Sequence, residues 1–195
     1  NNEAPPQTLV REVTDSLDRA VTDERIKAVV LDLDGLQGGG LAKLQTIGDK
    51  IQKVRDAGKK VIAIGSGYTR DQYYLASRAD EVIMHELGLV YLEGYDYYRM
   101  FFRSALEKLQ VDLNVFRVGE FKSFVEPFIR DDMSAEDREA SQVWLSGLWS
   151  AWERDVAAAR KLKPGALQSY ADDLASRIEA EKGNAAKAVE MFDAV

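Results

Sequence analysis

The chain has 195 residues, which suits one substantial core with a helical appendage and is short for two ordinary domains. Its 26 basic and 33 acidic residues leave a formal charge of −7, which argues against a phosphate-backbone partner, so no nucleic acid is expected. The absence of cysteine and the presence of a single histidine exclude disulfides, thiolate sites, a cysteine nucleophile and a multi-histidine metal centre; no metal or cofactor is expected.

In chain order, Leu9, Val13, Leu17, Ala20 and Val21 recur at the spacing of an amphipathic helix. The β-branched run Ile26 to Leu33 lacks polar alternation after Ala28 and predicts a central parallel strand covered on both faces. Gly38-Gly39-Gly40 makes a turn. Leu41, Leu44, Ile47, Ile51 and Val54 then give a helix that Gly58 caps. A strand is predicted over Val61 to Ile64, a short helix over Arg70 to Arg78, and a strand over Glu81 to Met84, with His85 at its end. Tyr95 to Leu109 has aromatic residues at helical spacing, which predicts a helix whose stripe of Tyr97, Tyr98, Phe101 and Phe102 packs a core or a subunit interface.

Val111 to Val118 reads as the strand that delivers Lys122. Glu126-Pro127 sets geometry, because proline holds the residue before it extended. Arg130, Asp131 and Asp132 form a charged cluster, and Ser134 to Asp137 has the form of a capping box that opens a long helix. Lys163-Pro164-Gly165 breaks that helix, and two more are expected over Leu167 to Lys182 and Ala185 to Phe192. Alternating strands and helices imply an α/β fold with a mainly parallel sheet and right-handed crossovers. The expected division is an α/β core over residues 1–133 and a helical segment over 134–195.

No apolar run approaches the roughly 20 residues that cross a bilayer, and no signal segment opens the chain. The start at Asn1-Asn2-Glu3 and the end directly after a helical pattern read as a fragment of a longer product.

Lys122 lies between aromatic residues in Val118-Gly119-Glu120-Phe121-Lys122-Ser123-Phe124-Val125-Glu126-Pro127-Phe128. Desolvation there would favour the neutral amine, and moving a lysine from about 10.4 to about 7 takes roughly 4 to 5 kcal/mol. The alternative is a snorkelling lysine with its methylenes under Phe121 and Phe124. Ser123 is a poor partner for Lys122, since neighbouring side chains on extended backbone point to opposite faces. Gly38 and Gly39 either aim amides at an oxyanion or form an ordinary turn. Ser66 and Thr69 read as turn residues, and Asp32 and Asp34 as a strand end meeting solvent.

The segment VGEFKSFVEPFIRDDMS, together with KAVVLDLDGLQGGG, GKKVIAIGSGYTRDQYYLASRADEVIM and REASQVWLSGLW, resembles the N-terminal half of the double-length bacterial signal peptide peptidase A family, also called protease IV. The resemblance covers nearly the whole chain. It implies a ClpP/crotonase-like fold and a serine-lysine endopeptidase that degrades cleaved signal peptides. Lys122 matches the general base, with Gly119, Ser123, Glu126 and Pro127 supporting the site and Gly38 and Gly39 a vestigial oxyanion turn. Arg70 falls where the active half carries its serine, so the nucleophile is expected from a C-terminal half, and this chain alone should be inactive. The resemblance further implies a homo-oligomer such as a tetramer, apolar peptide substrates, and tethering to the periplasmic face of the inner membrane by a segment outside this chain. The rival readings are a scaffold or peptide-binding oligomerisation module, and an acyl-CoA enzyme of the crotonase type.

Overall fold

The computed structural model describes residues 7–114 and 123–181. In chain order the elements are α1 (Val10–Thr22), β1 (Ala28–Asp32), α2 (Leu41–Asp56), β2 (Lys60–Gly65), β3 (Tyr68–Thr69), α3 (Arg70–Ala76), β4 (Glu81–Met84), β5 (Val90–Tyr91), α4 (Arg103–Lys108), α5 (Glu126–Ile129), α6 (Ala135–Arg160) and α7 (Ala166–Ala180). They fall into two compact units, Asn1–Gly94 with Ala151–Val195, and Tyr95–Ser150.

In the first unit, β1, β2 and β4 form a parallel sheet in that order, and β3 pairs in parallel with β5. The α/β class with a small, wholly parallel sheet therefore holds. Register places Val29 beside Val61, and Ala63 between Leu31 and Val82, on one face of the sheet. That face is covered: Val61, Ala63, Val82 and Met84 are buried together with Leu44, Ile51 and Val54 of α2 and with Tyr73 and Tyr74 of α3. Helix α2 starts after Gly40, at φ 63°, and stops where Gly58 turns into the left-handed region at φ 77°, as the sequence predicts.

The expectation of a strand buried on both faces fails for β1. Among the described residues it is an edge strand, its positions alternate between exposed and half-buried, and Val30 is 57% exposed. The unbroken apolar run concealed this, because β-branched residues suit an edge as well as a centre.

In the second unit, the helix predicted over Tyr95 to Leu109 shrinks to α4. Residues 95–102 are irregular, and the Phe102 amide donates to the Pro127 carbonyl at 2.6 Å, a partner no helix would use. The aromatic stripe also fails to enter a core here: Tyr98 is exposed, Tyr97 meets Trp144 edge to face, and Phe102 stacks on Phe128. Residues 111–114 of the predicted lysine-delivering strand have no regular structure; the rest of that strand and the helix predicted over Ala185 to Phe192 lie outside the described residues.

Candidate active site

In an open parallel sheet, sites form at the carboxyl ends of the strands. Here β1 leads into the glycine turn, and the β2 end leads through Gly67 and β3 into α3. Thr69 caps α3: its hydroxyl accepts from the Gln72 amide, while the Gln72 side chain accepts from the Thr69 amide. Gln72 is buried and also donates to the carbonyls of Leu33 and Leu36 at 2.9 and 3.0 Å. One side chain thus fixes the turn after β1 to the start of α3.

Asp71 closes the turn. Its Oδ2 accepts from the Gly39 amide at 3.1 Å, and a Cβ on Gly38 would stand 3.2 Å from that same oxygen. Its Oδ1 pairs with Arg70 Nε at 3.0 Å. Arg70 Nη1 donates to the Gly94 carbonyl at 2.7 Å, and the Arg70 carbonyl accepts from the buried Trp152 indole at 3.2 Å. A carboxylate therefore occupies the Gly39 amide, and a guanidinium stands at the helix start. Sequence reading singled out Arg70 and missed Asp71. The available signal was an acid in the first turn of a helix that begins just after a strand.

A second polar knot holds α6 to α2 and α3. Asp155 Oδ2 accepts from Gln45 Nε2 and from the Tyr74 hydroxyl, both at 2.9 Å, and Arg78 donates to that hydroxyl at 2.9 Å. Burial alone would raise the Asp155 pKa, but the bonds from Gln45 and Tyr74, with the charges of Arg154 and Arg78, hold the carboxyl below its ordinary value. Burial, joined by the bond to Asp155, pushes Tyr74 up to about 12. Tyr68 is likewise pushed up to about 12 by burial and by the Asp34 charge; its hydroxyl donates to the Ile83 carbonyl at 2.6 Å.

The remaining residues of this unit behave as turn and strand-end chemistry. Asp34 accepts from the Ser66 amide at 2.6 Å and from its hydroxyl at 2.8 Å, and those two bonds lower its pKa. Asp32 accepts from the Asp34 amide, and His85 Nδ1 accepts from the Leu87 amide. Among the described residues no group of three or more His, Asp or Glu side chains is placed to hold a metal ion, and no helix is long and apolar enough to cross a membrane.

In the second unit, Lys122 and Gly119 lie outside the described residues; Ser123 opens a 3-10 turn, Ser123–Val125, that runs into α5. Glu126 is buried, with its Oε1 accepting from the Ser134 hydroxyl at 2.6 Å and its Oε2 from the Ser134 amide at 3.2 Å. Ser134 Oγ in turn accepts from the Asp137 amide at 3.1 Å. The predicted capping box is thus half built. Asp137 turns away to Arg99 at 3.0 Å, and Glu126 takes the amide that the box would have satisfied. Buried Pro127 receives the Phe102 amide on its carbonyl, so Glu126 and Pro127 both anchor the segment after Lys122.

A mainly parallel α/β unit with a glycine turn and a capped helix start at its strand ends defines a broad class. The match to known proteins narrows it. The model of Peptidase family S49 matches residues 53–194, and the chain belongs to that family. "Protease 4" of Haemophilus influenzae is 38% identical over 185 residues, 94% of this chain and 30% of that protein. "Protease 4" of Salmonella typhi is 37% identical over 176 residues, 90% of this chain and 28% of that protein. The "Serine protease SPPA, chloroplastic" of Arabidopsis thaliana is 25% identical over 168 residues, 86% of this chain and 25% of that protein. The resemblance read from the sequence is therefore borne out at the level of the family, and the chain spans three-tenths or less of the length of these curated relatives.

Proposed function

We propose that this chain is the lysine-bearing N-terminal part of a longer serine-lysine endopeptidase of ClpP/crotonase-like fold, in which Lys122 is the general base and the nucleophilic serine comes from a C-terminal half. The observation that carries the split is the closed turn: Arg70 stands at the start of α3, and Asp71 occupies the Gly39 amide. With the Gly39 amide already bonded and an arginine in place of a hydroxyl at the start of α3, the nucleophile has to come from elsewhere. Gly38 and Gly39 are then a vestigial oxyanion turn, and the isolated chain is inert.

A neutral Lys122 amine would take the proton from the serine hydroxyl as it attacks a peptide carbonyl and return it to the leaving amine. Gly119, Ser123, Glu126 and Pro127 would shape the segment around it. Of these, Glu126 has the best support, since its two bonds to Ser134 hold that segment against the start of α6. The substrates would be apolar peptides such as cleaved signal peptides, met by a homo-oligomer at the periplasmic face of the inner membrane. The test is peptide cleavage by the full-length protein carrying Lys122→Ala or Lys122→Arg. Both should lose activity by about a thousandfold, within the range general-base removal produces, and retained turnover in either removes the assignment.

A scaffold reading has one observation in its favour. Between Tyr95 and Ser150 a series of apolar side chains, among them Tyr98, Met100, Val143 and Trp144, stays exposed, as subunit interfaces require. Both readings hold together if assembly is what completes the site.

A further inference from the structure

We propose that Asp131 is a positioning residue for Lys122: with Ser104 it closes a clamp that holds the segment after the lysine on the start of α4. The inference rests on the reading of Lys122 as general base.

Helix α4 begins without a cap of its own. Phe102 stands at its N-cap position and offers no side-chain acceptor, so the amides of the first turn need partners from elsewhere. Asp131, 27 positions beyond Ser104, supplies one. Its Oδ1 accepts from the Ser104 amide at 2.9 Å and from the Ser104 hydroxyl at 2.6 Å, and its charge lies where the helix dipole favours a carboxylate. Sequence reading placed Asp131 in one charged cluster with Arg130 and Asp132. Those two do pair with each other, at 3.2 Å, whereas the bonds to Ser104 set Asp131 apart from them.

Further contacts make this a clamp and not an isolated surface bond. The Phe102 amide donates to the Pro127 carbonyl at 2.6 Å, and the Phe102 ring stacks on Phe128 with centroids 6.1 Å apart. Residues 102–104 thus meet residues 127–131 at successive points. The same segment is tied to the start of α6 through the bonds of Glu126 to Ser134. Its first described residue, Ser123, is the chain neighbour of Lys122.

These few contacts matter because nothing stronger holds the segment. No strand among the described residues 123–134 fixes it through a ladder of backbone bonds, and its large side chains Phe124 and Phe128 are exposed. A catalytic group misplaced by about 1 Å can lose about a hundredfold in rate, so a base on such a segment depends on what grips the segment. Asp131 grips it at the end away from Lys122, through two bonds to one partner residue, and acts on the reaction by way of the lysine.

Steady-state cleavage of an apolar peptide by full-length variants tests this, with the fold of each checked by circular dichroism. Asp131→Ala should lower kcat by about tenfold or more and leave KM within about twofold of the parent. Asp131→Asn should recover most of that loss, because both bonds use Oδ1 and an amide carbonyl can accept the two of them. Ser104→Ala keeps the amide bond and loses the hydroxyl one; its kcat should fall between, and it carries the test if Asp131→Ala does not fold. A parent-like kcat in Asp131→Ala, a change confined to KM, or equal losses in the Ala and Asn variants would overturn the proposal. Adding Asp131→Ala to Lys122→Ala should cost nothing further, since a residue that acts through the lysine then has nothing to position. A further loss of the same size in that double variant would also overturn it. The dyad fails on a different result, parent-like turnover by Lys122→Ala alone, so the two ideas are told apart.

Discussion

The unit built on the three-stranded sheet buries Ile51, Val54, Val61, Tyr73, Tyr74, Trp152 and Tyr170 almost completely, whereas between Tyr95 and Ser150 the buried described residues are Glu126, Pro127, Ser134 and Ser141. One region is held by apolar burial with polar knots at its margins. The other is held by polar clamps, Glu126 to Ser134, Arg99 to Asp137 and Asp131 to Ser104, with its large apolar groups facing out. Polar clamps fix geometry but contribute little net stability, about 1 kcal/mol each. The contrast separates a sheet unit held by an apolar core from a segment after Lys122 held by local polar bonds.

That contrast sets the first and largest expectation. In the isolated chain, amides of β2 should exchange orders of magnitude more slowly than those of α4 and α5, because exchange follows local opening. Comparable protection in both would mean that residues 95–150 carry a core of their own. Next, Trp152→Ala should destabilise the sheet unit by about 3 to 5 kcal/mol, the cost of emptying a fully buried indole site, with loss of its bond to Arg70 included. Thermal denaturation would read this. Glu126→Ala should cost about 1 to 3 kcal/mol by leaving the Ser134 amide and hydroxyl unpaired in a buried place, and Glu126→Gln should cost less because its carbonyl can still accept. Denaturant unfolding of the pair would check the order.

The smallest effect lies in pH. Tyr68 and Tyr74 titrate at about 12 in the folded chain, above an unfolded value near 10. Their neutral forms are favoured by folding, so the stability they lend is complete below about pH 10 and declines as pH rises through about 12. Melting temperature across that window should fall more steeply for the parent than for a Tyr68→Phe, Tyr74→Phe variant. At the acid end the exposed Asp34 works the other way: its contribution is present above the ordinary carboxylate range and is lost as pH falls through its lowered value.

Much of the frame was legible in the sequence because its signals are periodic. The strands near Val61 and Val82 and the helix over Leu41 to Asp56 follow directly from apolar spacing, and Gly58 marks its own cap. The helix over Tyr95 to Leu109 misled because aromatic spacing was its main support, and a partner well beyond the segment, Pro127, took the Phe102 amide. Edge or centre could not be read from β1, since that depends on which strands exist beside it. At the candidate site the lysine motif and the arginine at the helix start were visible as sequence. The closure of Gly39 by Asp71 and of Ser134 by Glu126 was not, because each joins residues whose proximity only the fold creates.

The proposed role of Lys122 is that of a base for a serine supplied from elsewhere in the longer protein. The most direct measurement is cleavage of an apolar peptide by the full-length protein with Lys122→Ala, against the parent, both confirmed folded by circular dichroism, and by the 195-residue chain alone. The expected result is a loss of about a thousandfold in the variant and no turnover by the excised chain. Parent-like turnover by the variant, or serine-dependent cleavage by the excised chain, would contradict it.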